Sequence, residues 1–195
     1  MERLNNEKDT ARTGAGGVIP AVCSQLRIAA LVVSCLALST AALSRPLNLT
    51  IESPAFKNNG FIPVRSTCQG SGKNPPLVIK NIPPHTVSLA LMLDDPDAPG
   101  GTFTHWLLWN IMPDTRRIDE NTVPRGAKQG FNDFGTEGYG GPCPPPGTAH
   151  RYVFRLFAVD IMLHVKGTIS RQDLEKALNG HIIAHALLTG FYKRK

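Results

Sequence analysis

The stretch LMLDDPDAPGGTFTHWLLWNI, Leu91 to Ile111, decides the fold. Two apolar runs flank a segment with three carboxylates and two prolines, and one histidine, His105, sits among the bulky residues of the second run. Short apolar runs bounded by Asp, Pro and Gly read as strands joined by a turn, because Asp caps turns and Pro fixes φ. Val87, Leu89, Leu91 and Leu93 recur with period two. Ser88, Ala90 and Met92, on the other face, are small or apolar, so this strand is expected at the centre of a sheet and covered on both sides. An acidic, proline-locked loop at the mouth of two strands, with a histidine pointing back toward it, is what a small polar pocket in a β-protein needs.

The same punctuation continues outward. Strands are expected at Leu47–Ser53, Leu77–Ile79, Val87–Leu93, Phe103–Ile111, Tyr152–Val159 and Ala186–Tyr192, separated by Pro, Gly and Asn. Near the end, Ser170 with Asp173 forms a capping box, and Leu174, Leu178, His181, Ile182 and His185 recur at helical spacing. The expected class is therefore all-β: an antiparallel β-sandwich with a C-terminal helix packed on it. His181 and His185 stand four apart but lack a third ligand, so no metal site and no cofactor is expected. Residues 115–147 form long connections, and loops of that length in a compact domain usually line a site or are disordered. Phe131, Phe134 and Tyr139 favour the ordered alternative.

The first 44 residues differ from the rest. They are basic and polar up to Arg27, apolar from Ile28 to Leu43, and end in small residues before Arg45 and Pro46, which is the order of a secretory signal. The chain is thus expected to divide into a leader, 1–44, and one domain, 45–195, exported to the periplasm or the outside of the cell. A membrane anchor is the rival, but the sixteen apolar residues fall short of the ~20 that span a bilayer. A second rival is a lipoprotein modified at Cys35. From Arg45 onward 17 Lys and Arg stand against 12 Asp and Glu. These cations are scattered except for KRK at the end, so no stripe for tracking a nucleic acid is present, and weak peripheral contact with anionic lipid is the membrane role the charge allows. Two cysteines, Cys68 and Cys143, remain in the domain. They either pair, as an oxidising compartment permits, or stay as buried thiols.

Alternation places Phe103, His105, Leu107 and Trp109 on one strand face, and His150, Tyr152, Phe154 and Leu156 on another. If the two strand ends converge, His105, His150 and the Tyr152 hydroxyl form donors over an apolar floor, which suits an anion. Asp95 or Asp97 would then orient a histidine ring instead of touching the ligand. Backbone N–H groups of YGGPC would add donors, since glycine lets a ligand approach the main chain.

DDPDAPGG, THWLLWNI, GFNDFGTEGYGGPCPPPG and HRYVFRLFAVD, in this order, resemble the phosphatidylethanolamine-binding protein family, also called Raf kinase inhibitor protein-like, and its bacterial branch in particular. The resemblance covers about Leu47 to Tyr192. It implies a compact β-sandwich with a small anion pocket for phosphate-like ligands or phospholipid headgroups, formed by Asp95, Asp97, His105, Gly141, Pro142, His150 and Tyr152. Gln69 and Asn74 depart from the family pattern, in which Asp and Ser are usual. The function expected is that of a non-enzymatic binding protein. The alternative is an inhibitor or modulator of a protein partner, a peptidase or kinase, acting through the surface around the pocket. An enzyme using His105 and an aspartate ranks third, because no G-x-S-x-G or comparable nucleophile motif is present.

Overall fold

The computed structural model describes residues 48–167 and 169–195; the leader expected at 1–44 lies outside them. The elements in chain order are β1 (Thr50–Glu52), β2 (Gly60–Phe61), β3 (Leu77–Lys80), β4 (Ser88–Asp95), β5 (Phe103–Ile111), β6 (Arg117–Ile118), β7 (Lys128–Gln129), β8 (His150–Val159), α1 (Arg171–Leu178) and β9 (Ile182–Tyr192). They form a three-stranded sheet, β1-β3-β6, and a six-stranded sheet, β2-β9-β8-β4-β5-β7. All pairs are antiparallel except β2 with β9, which is parallel, so the expected antiparallel architecture is corrected to a mixed larger sheet.

Every residue of β4 is buried. The period-two face of Leu89, Leu91 and Leu93 joins Ile51, Leu77, Ile79 and Ile118 of the small sheet in one shared core with Phe154 and Leu156. The opposite face, Ala90 and Met92, meets Leu107, Trp109, Leu163, Leu174 and Leu178, so α1 and the segment before it cover the outside of the large sheet. A strand buried on both faces loses no apolar surface to water, which is why its sequence runs apolar instead of alternating.

The helix is shorter than its apolar spacing implies. Its capping box forms, with Ser170 Oγ accepting from the Asp173 N–H, but the helix stops at Leu178. Gly180 adopts φ +81°, a left-handed conformation that breaks the helix at low cost. The β-branched pair Ile182–Ile183 then starts β9, four residues ahead of the expected Ala186. His181 and His185 therefore do not share a helix face. His181 Nδ1 lies 2.9 Å from Asp160, while His185 is in β9, opposite Phe157.

Candidate functional site

The pocket lies where β4 ends and β5 and β8 begin. Along β5, Asp95 faces Phe103 and Asp94 faces Thr104, yet Leu93 faces Trp106, so His105 is the extra residue of a bulge. This corrects the expected row of Phe103, His105, Leu107 and Trp109. Leu107 and Trp109 pack toward α1, whereas the His105 ring lies 5.1 Å from the Tyr152 ring, on the side of the shared core. The bulge re-aims the histidine into the pocket.

His105 Nδ1 lies 2.8 Å from the Gly140 carbonyl oxygen. A carbonyl only accepts, so Nδ1 carries the proton and donates, leaving Nε2 without a protein partner among the described residues. Burial holds the His105 pKa below 6.5, and the opposing pull of the Gly140 carbonyl and of Asp95, Asp94 and Asp133 does not cancel it. Across the pocket, His150 Nδ1 lies 2.8 Å from Asp95 Oδ2, both side chains being buried. Asp95 Oδ1 accepts from the Asp97 N–H at 2.9 Å, which closes the turn under the ring.

Asp97 does not reach a histidine. Its carboxylate accepts from the Arg151 N–H at 2.8 Å and from the Arg151 guanidinium, and these bonds hold its pKa at about 2. The pair is largely in water, so its net worth is small. Asp97→Asn is expected to cost under about 1 kcal/mol of stability at pH 7. Its contribution is present above the unfolded carboxylate pKa of 3.8 and is lost as pH falls through about 2. Acid unfolding curves of the two proteins should therefore converge at the lowest pH, and curves that stay parallel would refute this.

The third wall comes from the glycine- and proline-rich loop. Cys143 is bonded to Cys68 with Cα atoms 5.4 Å apart, one of the two outcomes that sequence left open. The Cys68 N–H also donates to the Pro142 carbonyl at 3.1 Å. A Cβ on Gly141 would come within 2.9 Å of the Ser66 carbonyl oxygen, and one on Gly140 within 2.5 Å of the Phe134 ring, so both positions need glycine for close approach. Asn132, itself buried, bonds Phe134 N, Thr136 N and the Gly138 carbonyl, and so fixes the loop that carries Phe134. Gln69 and Asn74 are also bonded: Gln69 Oε1 accepts from the Tyr192 hydroxyl at 2.6 Å, and Asn74 Nδ2 donates to the Asp119 carbonyl at 3.0 Å.

The resulting cavity, about 190 Å³, is lined by Asp95, His105 and His150 on its polar side. Phe103, Phe134, Pro99, Pro144 and Pro145 supply much of the apolar wall. Of the seven residues expected to form the pocket, Asp95, His105 and His150 line it. Gly141 and Pro142 stand behind the wall, and Asp97 faces Arg151. Tyr152 is fully buried beneath His105. Burial and then Asp95 push its pKa well above 10, and although Asp95 and the Cys143 backbone are close enough to act on the hydroxyl, it makes no hydrogen bond of good geometry among the described residues. Removing an unpaired buried hydroxyl relieves a desolvation cost, so Tyr152→Phe is expected to leave stability unchanged or raise it by about 1 kcal/mol. A loss above that size in denaturant unfolding would show that the hydroxyl is satisfied.

Sequence reading missed the aromatic wall, since Phe103 and Phe134 lie 31 positions apart and meet with ring centroids 4.7 Å apart. It also missed the role of Asp94, which had been grouped with the loop. On the other face of β4 from Asp95, Asp94 accepts from Arg155 Nη2 at 2.6 Å, Arg171 Nε at 3.3 Å and Thr104 Oγ1 at 3.0 Å. This fully buried carboxylate ties the start of α1 to the sheet behind the pocket.

The sequence model of the family described as phosphatidylethanolamine-binding protein matches residues 52–193. A UPF0098 protein of Methanothermobacter thermautotrophicus is 44% identical over 151 residues, covering 75% of this chain and 99% of that protein. One from Pyrococcus horikoshii is 48% identical over 151 residues, covering 73% and 76%. The relatives are thus archaeal as well as bacterial. The crystal structure of a phosphatidylethanolamine-binding protein homologue from Chlamydia trachomatis superposes with a TM-score of 0.73 at 36% identity, over 76% of this chain and 99% of that one. That of Escherichia coli YbcL, described as a new member of the mammalian family, gives 0.72 at 30% identity over 76% and 100%. By its match to the family model and its identity to these relatives, the chain belongs to the phosphatidylethanolamine-binding protein family.

Proposed function

We propose that the chain is an exported, non-enzymatic binding protein whose pocket takes a phosphate-bearing small molecule or a phospholipid headgroup. The observation that carries this reading is the pairing of two buried histidines on one small cavity. Each has its Nδ1 fixed by a protein acceptor, Gly140 for His105 and Asp95 for His150, so that each Nε2 is left for a ligand. Protonated Nε2–H groups are charge-assisted donors, roughly twice as strong as neutral ones, and the apolar wall keeps water from competing. The family's description as phosphatidylethanolamine-binding agrees with that chemistry. Export is supported by the Cys68–Cys143 disulfide, which suits an oxidising compartment. A non-enzymatic role is supported by the lining itself, where Cys143 has the only thiol-derived sulfur and that sulfur is bonded to Cys68.

Calorimetry with O-phosphoethanolamine and with inorganic phosphate tests the reading, beside a turnover assay on a phosphomonoester. Saturable one-to-one binding without turnover is expected. If neither ligand binds, or if the ester is hydrolysed at a rate that His105→Ala abolishes, the proposal fails.

A further inference from the structure

The run Lys193–Lys195 takes no part in lining the pocket, yet the fold carries it to the pocket end of the molecule. In the β8–β9 ladder His150 faces Tyr192 and Arg151 faces Phe191, so the chain leaves β9 beside a pocket-lining histidine. There it is held: Arg194 Nη1 lies 3.6 Å from Cys143 Sγ, and the Lys195 N–H donates to Gln69 Oε1 at 3.2 Å. Next to the run, β2 pairs Phe61 with Phe191, ring centroids 6.5 Å apart, and Phe61 is 68% exposed. Arg151 is matched by Asp97, but among the described residues Lys193, Arg194 and Lys195 pair with no carboxylate.

Unmatched cations beside an exposed phenyl ring, Phe61, backed by the half-buried Phe191, have a complement in one kind of surface. Rings partition into the zone between headgroup and acyl chain, while cations are drawn to the negative potential of an anionic leaflet. We propose that Phe61, Phe191, Lys193, Arg194 and Lys195 form a docking surface for an anionic phospholipid bilayer. Docking there sets the neighbouring pocket mouth at headgroup level. That consequence rests on the headgroup reading; the docking itself does not.

Co-sedimentation of the full chain with two kinds of vesicle tests this: pure phosphatidylcholine, and phosphatidylcholine with about 30% phosphatidylglycerol, each cation near such a surface being worth about five-fold in affinity. Binding to neutral vesicles measures the apolar contribution of the first 44 residues, and their cations, the same in wild type and in the C-terminal variants, cancel when those are compared on anionic vesicles. Wild type is expected to prefer anionic vesicles at least about tenfold, with the preference falling as salt rises. Lys193→Glu with Lys195→Glu should weaken anionic binding about 25-fold or more, and Phe61→Ser several-fold. His150→Ala, aimed at the pocket, should keep the preference for anionic over neutral vesicles while weakening phosphoethanolamine binding, so the two proposals fail separately. Equal binding to both vesicle types overturns docking, as does a charge-reversed variant that binds like wild type. A sedimentation coefficient that drops on charge reversal without vesicles also overturns it, by assigning the surface to a second copy of the chain.

Discussion

Replacing both Cys68 and Cys143 with Ser is expected to lower the unfolding free energy by about 4 kcal/mol, the chain-entropy value for releasing a closed loop of this size. The two residues are 75 positions apart. The loop between them contains β3, β4, β5, β6 and β7, so the open unfolded chain gains freedom over half the domain. Only the double variant is informative, because a single substitution leaves a thiol beside the pocket. Urea unfolding reads the change, with an unaltered slope as the control that the compact state is the same. The effect reaches the site as well. Cys143 lines the pocket, and the bond to Cys68 is reinforced by one backbone hydrogen bond, from Cys68 N–H to Pro142, so the variant should also bind phosphoethanolamine more weakly. Full retention of stability would mean that the surrounding proline segment holds the wall without the bond.

How much of this was legible in sequence depended on the range of the forces involved. β5 coincides with the expected Phe103–Ile111 because local punctuation, Gly before and Pro after, coincides with the ends of the ladder. The parallel pairing of β2 with β9 was not legible: Gly60–Phe61 is two residues long, and its partner lies 130 positions away. The helix was legible at its start, where the capping box is a local bond, and misread at its end, where Gly180 overrides an apolar spacing that continues through it. At the site, Asp95, His105 and His150 were found because strand ends collect polar residues. Strict alternation gave Phe103 correctly as a neighbour of His105 but wrongly added Leu107 and Trp109, since a bulge is an interruption of the very period used to find it. Asp97 and Asp95 look alike in DDPD. Only the folded contacts, which set Arg151 against Asp97 and His150 against Asp95, separate their roles.

His150→Ala is expected to weaken phosphomonoester binding by about 2–3 kcal/mol, some 30- to 150-fold, because truncating one member of a buried pair hydrogen-bonded to a carboxylate costs its donor and leaves the partner unmatched. Here the partner is Asp95, 3% exposed, which would keep only the Asp97 N–H. A buried carboxylate with one donor repels the incoming anion. His105 should show itself differently, through pH. In the free protein burial favours its neutral form, so below 6.5 the unfolded chain binds a proton that the folded chain does not, and stability falls as pH drops through that range. A phosphate dianion against Nε2 favours the imidazolium instead, so the complex takes up a proton. Affinity must then rise as pH falls from 8 toward 6.5, until the ligand's own second ionisation near pH ~6 reverses the trend. Calorimetry at pH 7 in two buffers of different ionisation enthalpy measures that uptake directly. It should lie between zero and one proton in wild type and vanish in His105→Gln, which keeps an acceptor and a donor but cannot titrate. Binding enthalpies that are independent of buffer, with an affinity flat from pH 6.5 to 8, would remove His105 from the site and leave its bulge as a packing device between Phe103 and Tyr152.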